Sequence, residues 1–304
     1  MTSGAIFHRN RWLIALSGVG IHICIGSVYA WSVFSKPLQL AFGWSMQQAN
    51  FTFGLAIFTL GISAAVMGHV VERYGPKISG LIAAFFWALG LAGSGFAVSE
   101  NAAISEFRLP IIYLAYGILG GIGLGTGYVT PVSTLIKWFP DRRGLATGMA
   151  IMGFGFASFL GAPIINQLIG RIGLSHTFYA LSCLYLVLMS ISAFYLAPPP
   201  SNWAPASAIK KVHQKGHLKA DVMPMSANDA VRTLPFYGLW IMMFINITCG
   251  IAVISVASPM IQEMTGLSSL MAAAIVGLIG LFNGLGRIIW AAISDWVGRP
   301  VTFV

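Results

Sequence analysis

The chain has 304 residues, of which 57% are hydrophobic and only 8% charged, and its mean hydropathy is +0.81. Soluble domains carry about 25% charged residues, so this composition excludes an ordinary soluble domain and indicates a polytopic membrane protein. The net charge of +9 comes from basic residues spread over many loops. A nucleic-acid site would gather them on one face, so anionic lipid headgroups are the expected counter-surface and we expect no nucleic-acid partner.

Eight apolar stretches are long enough to cross a ~30 Å hydrocarbon core, which takes about 20 helical residues. They cover residues 12–35, 49–71, 78–99, 110–136, 144–168, 176–197, 235–261 and 268–294. The first is too long for a cleaved signal peptide and lacks a small-residue cleavage site. The pattern predicts an all-α protein with eight membrane spans, numbered here in this order.

Basic residues outside the spans predict the orientation. If the N-terminus is cytoplasmic, thirteen of these sixteen residues lie on the cytoplasmic side, and only Lys36, Arg108 and Arg171 lie on the other. This asymmetry follows the positive-inside rule. We therefore expect a multi-pass protein of the plasma (inner) membrane with a cytoplasmic N-terminus. The ends of the spans predicted to face the cytoplasm are called inner ends, and the opposite ends outer ends.

The sequence gives little sign of a metal site, a cofactor or an enzyme. Cys24, Cys183 and Cys249 fall inside predicted spans at unrelated spacings, which predicts small buried apolar side chains and no disulfide or metal site. The glycines between residues 120 and 127 do not form a strict G-x-G-x-x-G loop, so we expect them to serve close helix packing. We find no H-E-x-x-H or comparable catalytic cluster.

The chain divides at a proline- and lysine-rich break between spans six and seven. We predict a six-helix unit over residues 1–197, a cytoplasmic linker over 198–234 and a second, partial unit over 235–304. A repeat supports this division. Glu72 precedes Gly75 at the inner end of span two, as Asp295 precedes Gly298 at the inner end of span eight, with a basic residue close by in both. The two units therefore look like parallel repeats of a transporter.

Several motifs carry a family resemblance. The repeated acid, glycine and basic pattern resembles the signature loop of the major facilitator superfamily. Three further segments are similar to the oxalate/formate antiporter family: residues 28–34 (VYAWSVF), 137–146 (KWFPDRRGLA) and 283–287 (NGLGR). The resemblance implies a major facilitator fold with a complete N-terminal six-helix bundle plus the first two helices of the C-terminal bundle. It also implies a substrate that is a small carboxylate.

The resemblance implies twelve spans, whereas the chain stops at Val304, just past the inner end of span eight. Four spans would then be missing, including span eleven, where the resemblance implies a second cationic residue for the substrate. We therefore expect a fragment or an interrupted reading frame that would not complete a transport cavity alone. For the full-length protein we expect a monomer.

Arg287 is the strongest candidate for a substrate ligand. It is the only charged residue between Glu263 and Asp295. A lone charge in a span costs at least ~2.5–3.5 kcal/mol, and a guanidinium cannot lose its proton. Arg287 lies about 12 Å inside the inner helix end, because eight residues separate it from Asp295. We predict that it binds a carboxylate through its two-pronged guanidinium, with Asn283 one turn away; the alternative is an arginine satisfied by helix carbonyls.

Tyr29 of span one and Tyr128 of span four are further candidates for substrate binding. Each could offer a hydroxyl and a ring edge to a small anion, and the resemblance implies an aromatic box; simple packing residues are the alternative. His22 shares a helix face with Tyr29 and is a candidate proton-responsive group, although a lone histidine on an apolar face is usually structural.

The short charged turns at the inner ends predict gating residues. There an acid can meet a helix N-terminus or a basic group in one conformation and lose it in the other. The alternative is ordinary solvated charge, worth about 0–1 kcal/mol per exposed pair. The candidates for gating are Glu72, Arg73, Lys77, Asp141, Arg142 and Asp295.

Together these features predict a secondary carrier of small carboxylates, of the oxalate, formate, lactate or pyruvate type, that works by alternating access. Anion exchange is favoured over proton symport because no carboxylate lies mid-membrane in this chain. The alternatives are a carrier of another substrate class on the same fold, such as sugars or cationic drugs, a membrane enzyme, and an inactive truncated remnant.

Overall fold

The computed structural model describes residues 9–200, 203, 227–298 and 301–302. Every regular element in these ranges is helical. Six helical segments among them are long and apolar enough to cross a membrane. The elements, in chain order, are the helix Arg11–Gly26, the 3-10 turn Ser27–Ala30, the helices Ser32–Phe42 and Met46–Ala97, the 3-10 turn Ala102–Phe107, the helix Arg108–Ile112, the π-helical stretch Tyr113–Gly120, and the helices Gly121–Trp138, Arg143–Tyr195, Ala227–Ala230, Leu234–Thr265 and Ser269–Val297.

Two of these helices are each two spans joined end to end. They have 52 and 53 residues, and at 1.5 Å per residue each would be about 80 Å long, far more than the ~30 Å hydrocarbon core. Both break at a single glycine with positive φ: Gly75 (φ 80°, ψ 167°) and Gly173 (φ 77°, ψ 171°). Only glycine adopts this conformation readily. The breaks therefore separate spans two and three, and spans five and six, and restore the eight predicted spans.

Gly298 ends span eight with φ 96° and ψ 149°. The two glycines of the sequence repeat, Gly75 and Gly298, thus share the same kind of positive-φ backbone. Gly173, between spans five and six, has it as well, although the sequence around it lacks the preceding acid. Spans two, five and eight therefore each end at a single glycine with positive φ.

Span one is longer than predicted. Its helix continues to Phe42 and ends at Gly43, which has φ 67°, whereas the apolar stretch ends at residue 35. Lys36, Pro37 and Gln39 interrupt the hydrophobic run without breaking the helix. The polar residues after position 35 thus mark the end of the apolar stretch, whereas the helix itself ends at Phe42.

Aromatic side chains fill the centre of the first six spans. Trp31 of span one packs on Tyr116 of span four with ring centroids 4.4 Å apart, and Phe34 stacks on Phe178 of span six at 4.5 Å. The indole of Trp31 donates to the carbonyl of Ala49 at 3.1 Å. Trp31 and Phe34 thus connect span one to spans two, four and six, and the one polar atom of the indole has a hydrogen-bond partner.

Glycines let several spans approach closely. In span four, a side chain at Gly121 would lie 2.5 Å from Thr59 of span two, and one at Gly125 would overlap the backbone of Leu60. Between spans five and eight, a side chain at Gly155 would overlap the backbone at Gly280. These contacts confirm that the glycines serve helix packing. They also place span eight, and with it Arg287, directly against the first unit.

Span seven packs by its outer half only. Ile254, Ala257, Ser258 and Pro259 are buried, whereas the inner half is exposed. The prediction that all three cysteines are buried is therefore wrong for two of them. Cys24 is buried, but Cys183 and Cys249 are exposed, because they lie on faces of spans six and seven that point away from the neighbouring helices.

The predicted linker, residues 198–234, lies mostly outside the described residues. Of its described part, Trp203 packs on Trp138 at the inner end of span four, with ring centroids 4.8 Å apart, and donates to the carbonyl of Trp138 at 3.2 Å. The start of the linker is thus held against span four.

Candidate functional site

Arg287 contacts span one. Its Nη2 donates to the hydroxyl of Tyr29 at 3.4 Å, and the guanidinium is half-buried. Tyr29 lies in the 3-10 turn that interrupts the helix of span one. Within the described part of the chain, Arg287 forms no ion pair. A long bond to a neutral hydroxyl leaves most of the five donors of the guanidinium available to a ligand.

A cavity of about 940 Å³ lies in front of this contact. Its volume is at the upper end of the range for small-molecule sites. Among the described residues that line it, Arg287 alone is charged. The polar side chains in the lining are Arg287, Asn283, Asn246, Tyr29 and Tyr128.

The structure brings all four predicted substrate ligands to this one cavity. Arg287 and Asn283 come from span eight, Tyr29 from span one and Tyr128 from span four. Asn283 lies four residues before Arg287, so the two share a helix face, as expected from the 3.6-residue period. The Oδ1 atom of Asn283 is buried and has no hydrogen-bond partner among the described residues. The substrate-binding role of the four stays a prediction.

Sequence reasoning missed part of the lining. Asn246 of span seven also lines the cavity, together with an apolar set. A polar amide in the middle of an otherwise apolar span is a signal that could have found Asn246. The apolar lining residues include Met242, Met243, Ile247, Ile251, Ile254, Phe282 and Trp290.

Phe154 of span five joins the predicted aromatic residues behind the cavity. Its ring lies 5.3 Å from that of Tyr29 and 5.5 Å from that of Tyr128, with interplanar angles of 60° and 70°. His22 lies deeper, with its ring 5.6 Å from Tyr128 and 5.5 Å from Phe154. It does not line the cavity, so it is not placed to touch a substrate directly.

The predicted gating residues do not form one cluster. Glu72 pairs with Lys137 of span four at 2.7 Å and accepts from Ser133 at 3.2 Å. Glu72 follows the predicted span 49–71 and lies in the last helical residues before the break at Gly75, and the hydrogen bond from Lys137 lowers the pKa of its carboxyl. The pair therefore stabilises the contact between spans two and four at pH values above the ordinary pKa of a carboxyl group. This stabilisation is lost as the pH falls through the lowered pKa of Glu72. Because both side chains are largely exposed, that contribution is small.

Two other predicted gating residues contact different spans of the first unit. Asp141 pairs with Arg11 at 3.4 Å, and the ammonium of Lys77 lies 4.6 Å from the centre of the Phe194 ring. Arg73 lies over the ring of its neighbour Tyr74, and Arg142 precedes the helix of span five. The first two contacts join span one to the loop after span four and the inner end of span three to span six, whereas the contact of Arg73 with Tyr74 stays within one helix.

Asp295 makes a contact of a different kind. Its Oδ2 accepts the backbone N–H of Leu145 at 3.1 Å, in the first turn of the helix Arg143–Tyr195. A helix N-terminus carries a partial positive charge and unpaired N–H groups, so a carboxylate there is favourable. Asp295 thereby links the inner end of span eight to the inner end of span five.

The helices and the cavity together define a multi-pass membrane protein of the transporter class. Residues 14–304 match the Major Facilitator Superfamily, and the chain belongs to that superfamily. Its members are transporters and not enzymes, which confirms the expectations for the fold class and for the lack of enzymatic activity.

The chain is similar to two bacterial proteins over 96% of its length. It is 29% identical to an uncharacterized MFS-type transporter, YhjX, of Escherichia coli (strain K12), and 26% identical to the oxalate:formate antiporter of Oxalobacter formigenes. It covers 68% and 65% of their lengths, so it spans about two thirds of each relative. It is also 21% identical to apicoplast pyruvate carrier 1 of Toxoplasma gondii.

Solved structures support the fold. A D-xylose-proton symporter is similar with a TM-score of 0.64 and 19% identity, over 93% of this chain and 69% of that one. An inward-open xylose transporter, XylE of E. coli, is similar with a TM-score of 0.66 and 17% identity, over 94% and 69%. At such identities the likeness concerns the fold alone.

Proposed function

We propose that the protein is a carrier of small carboxylates that works by alternating access and exchanges one anion for another. Arg287 carries this proposal, because it is the one charged residue among the described residues that line the cavity, and within them it has no carboxylate partner. A permanent cation on a membrane helix is stabilised by a bound anion, and a carrier must be able to bind that anion and release it. The relatives named as an oxalate:formate antiporter and a pyruvate carrier support the same substrate class.

Different side chains of the site would bind different parts of a carboxylate substrate. The guanidinium can bind both oxygens through parallel N–H groups, a geometry that a lysine does not offer. The hydroxyl of Tyr29, already 3.4 Å from Arg287, and the amides of Asn283 and Asn246 would orient the anion. The methionine, isoleucine and aromatic side chains of the lining would hold the carbon part of the substrate.

We infer that a bound carboxylate also permits the conformational change. An unpaired guanidinium favours a hydrated site, whereas a neutralised one can enter a closed, water-poor one. The carrier would then rock between inward- and outward-facing states, with residues 1–197 and 235–304 belonging to two units and 198–234 to the linker between them. In this proposal the N-terminus faces the cytoplasm and the protein lies in the plasma membrane.

Uptake into liposomes tests the proposal. Labelled oxalate, formate, lactate and pyruvate are offered to vesicles that carry the full-length protein and are either empty or preloaded with an unlabelled carboxylate. We expect uptake of at least one of them, stimulated by preloading, and loss of uptake in Arg287→Gln. Arg171→Gln is the matched control, because Arg171 is exposed and does not line the cavity.

Unchanged uptake in Arg287→Gln would contradict the carboxylate proposal. Equal uptake into empty and preloaded vesicles would contradict anion exchange but not the carboxylate substrate class. Labelled xylose is included because a structural neighbour is a D-xylose-proton symporter. Xylose uptake without carboxylate uptake would show that the protein carries a neutral substrate instead.

A further inference from the structure

Gly286 is a glycine of span eight that helix packing does not explain. At Gly280 and Gly284 of the same span, an added Cβ atom would lie 2.7 and 3.0 Å from carbonyl oxygens of span five. At Gly286 it would meet no atom of the described residues within 4 Å, and the φ of Gly286 is not positive. Glycine weakens a helix relative to alanine, so it brings no gain to the helix itself. Its position in the cavity lining leaves open space in the wall.

Two aromatic side chains of span eight border this open space. Phe282 and Trp290 each lie four residues from Gly286, and residues four apart lie one above the other on a helix face. Eight residues separate the two, so their Cα atoms are about 12 Å apart along the helix. Both side chains line the cavity, and they are 70% and 61% exposed. The space between them, over Gly286, is called the Gly286 gap.

The Gly286 gap lies beside the cation to which the proposed function assigns the substrate carboxylate. Asn283 follows Phe282 and Arg287 follows Gly286, so these two polar residues form the neighbouring row of the same helix face. A carboxylate bound by the guanidinium of Arg287 therefore has its carbon chain next to the gap. Because no polar side chain borders the gap, it suits a hydrocarbon group and not a second carboxylate.

Span seven contributes adaptable side chains to the same cavity. Met242 and Met243 line it, and so does Gly250, around which the described residues also leave the Cβ position free. Methionine has a flexible, unbranched side chain that fits ligands of different shape. The cavity of about 940 Å³ is large enough for a drug-sized ligand, so formate or oxalate would leave most of it empty of substrate. The lining therefore favours a larger apolar ligand over one particular shape.

We propose that Gly286 determines substrate specificity, because the Gly286 gap holds the apolar side chain of the carboxylate that Arg287 binds. The proposal rests on the proposed function above and narrows its substrate class. The preferred substrates are monocarboxylates with a branched or aromatic side chain, which bind more tightly than pyruvate, lactate, formate or oxalate. Each methylene group that leaves water on binding raises the affinity by up to about fourfold.

A series of 2-oxo acids tests this inference, because its members share one head group and differ only in the side chain. Binding of pyruvate, 4-methyl-2-oxopentanoate and phenylpyruvate to the full-length protein in nanodiscs is measured by isothermal titration calorimetry at neutral pH. All three are then monoanions, so their charge is the same. We expect the dissociation constants of the two larger acids to be lower than that of pyruvate by about tenfold or more. Equal or weaker binding of the larger acids overturns the inference.

Gly286→Leu is designed to fill the gap, and its Cβ position is open. We expect the dissociation constants of the two larger acids to rise by about tenfold or more, and that of pyruvate to change by less than about twofold. Gly286→Ala adds only a methyl group and should give an intermediate result. Gly61→Leu is the matched control, because Gly61 of span two is exposed, has open space around it and does not line the cavity.

The pattern of losses among the variants decides the role of Gly286. An equal loss of affinity for all three acids in Gly286→Leu would indicate a role in helix packing and overturn the inference. A loss of the preference in Gly250→Leu but not in Gly286→Leu would place the substrate side chain against span seven and overturn it as well.

Failure of this inference is distinguishable from failure of the proposed function. Equal binding of the three acids that is abolished in Arg287→Gln overturns the role of Gly286 and leaves the carboxylate site intact. Failure of these acids and of lactate, formate and oxalate to bind, with no difference between the wild type and Arg287→Gln, would instead remove the proposed function itself.

Discussion

At the scale of single residues, Arg287 shows how much an isolated charge reveals. Burial of a permanent cation is costly, so its presence on an apolar span is informative before any contact is known. The structure adds the neighbours: a hydroxyl of span one at 3.4 Å, and a cavity in which no other lining residue of the described part is charged. The sequence could not show those neighbours, because Tyr29 and Arg287 are 258 positions apart.

Tyr29→Phe isolates the hydroxyl that Arg287 contacts. The ring packing on Phe154 remains, and only one hydrogen-bonding atom is removed. We expect carboxylate affinity to fall by about two- to tenfold, since one hydrogen bond contributes about 0.5–1.5 kcal/mol. Binding titrations check this, with Tyr237→Phe on the exposed surface of span seven as the control. Unchanged affinity in Tyr29→Phe would remove the hydroxyl from the binding site.

At the scale of helices, glycines decide which spans touch and where each span ends. Gly155 is prevented from carrying a side chain by the backbone of span eight at Gly280 and Gly284. Gly75 is required by its positive φ, whereas the space around it is open. The first glycine serves packing between helices, and the second serves the backbone of its own chain.

Gly155→Ala tests the contact between spans five and eight. The added methyl would force the helices apart, and overpacking of this kind costs about 1–3 kcal/mol. We expect a lower melting temperature and weaker cross-linking between the two spans. Gly161→Ala on the same helix is the control, since only Ile165 lies within 4 Å of the added carbon, at 3.8 Å. Equal stability of the two variants would contradict the close contact.

Gly75→Ala tests the backbone turn between spans two and three. An alanine in this region of φ and ψ costs about 1–3 kcal/mol, although no atom lies within 4 Å of the new side chain. Gly68→Ala, in the same helix and equally open, should be neutral or slightly stabilising. Thermal unfolding measures both. A Gly75→Ala variant as stable as Gly68→Ala would show that the turn adapts.

At the scale of the whole molecule, Asp295 connects span eight to span five, and so the two predicted units, at the predicted inner end. Its carboxylate accepts from the first turn of span five, whereas the described partners of Glu72 and Asp141 lie within the first six spans. A contact between units at one end must break for that end to open. The repeated acid thus has different partners in its two copies, which the sequence repeat alone did not show.

Asp295→Asn is expected to favour opening of the inner end. The loss of one charge at a helix N-terminus costs about 0.3–1 kcal/mol, which corresponds to roughly a two- to fivefold shift in population. Spin labels at the exposed positions Arg143 and Trp296 report the distance between the inner ends of spans five and eight. Asp229→Asn removes a charge ahead of span seven and serves as the control. An unchanged distance distribution would exclude Asp295 from gating.

The amino-acid sequence by itself determined the class of protein and the eight spans, because hydrocarbon allows only long apolar helices and excludes scattered charge. It also singled out Arg287, since an intramembrane cation is rare for energetic reasons. Only the tertiary structure decided which side chains share the cavity. Asn246 and Phe154 were not identified, and Cys183 and Cys249 were wrongly taken as buried. A span in lipid is apolar on every side, so its sequence does not mark which face meets another helix.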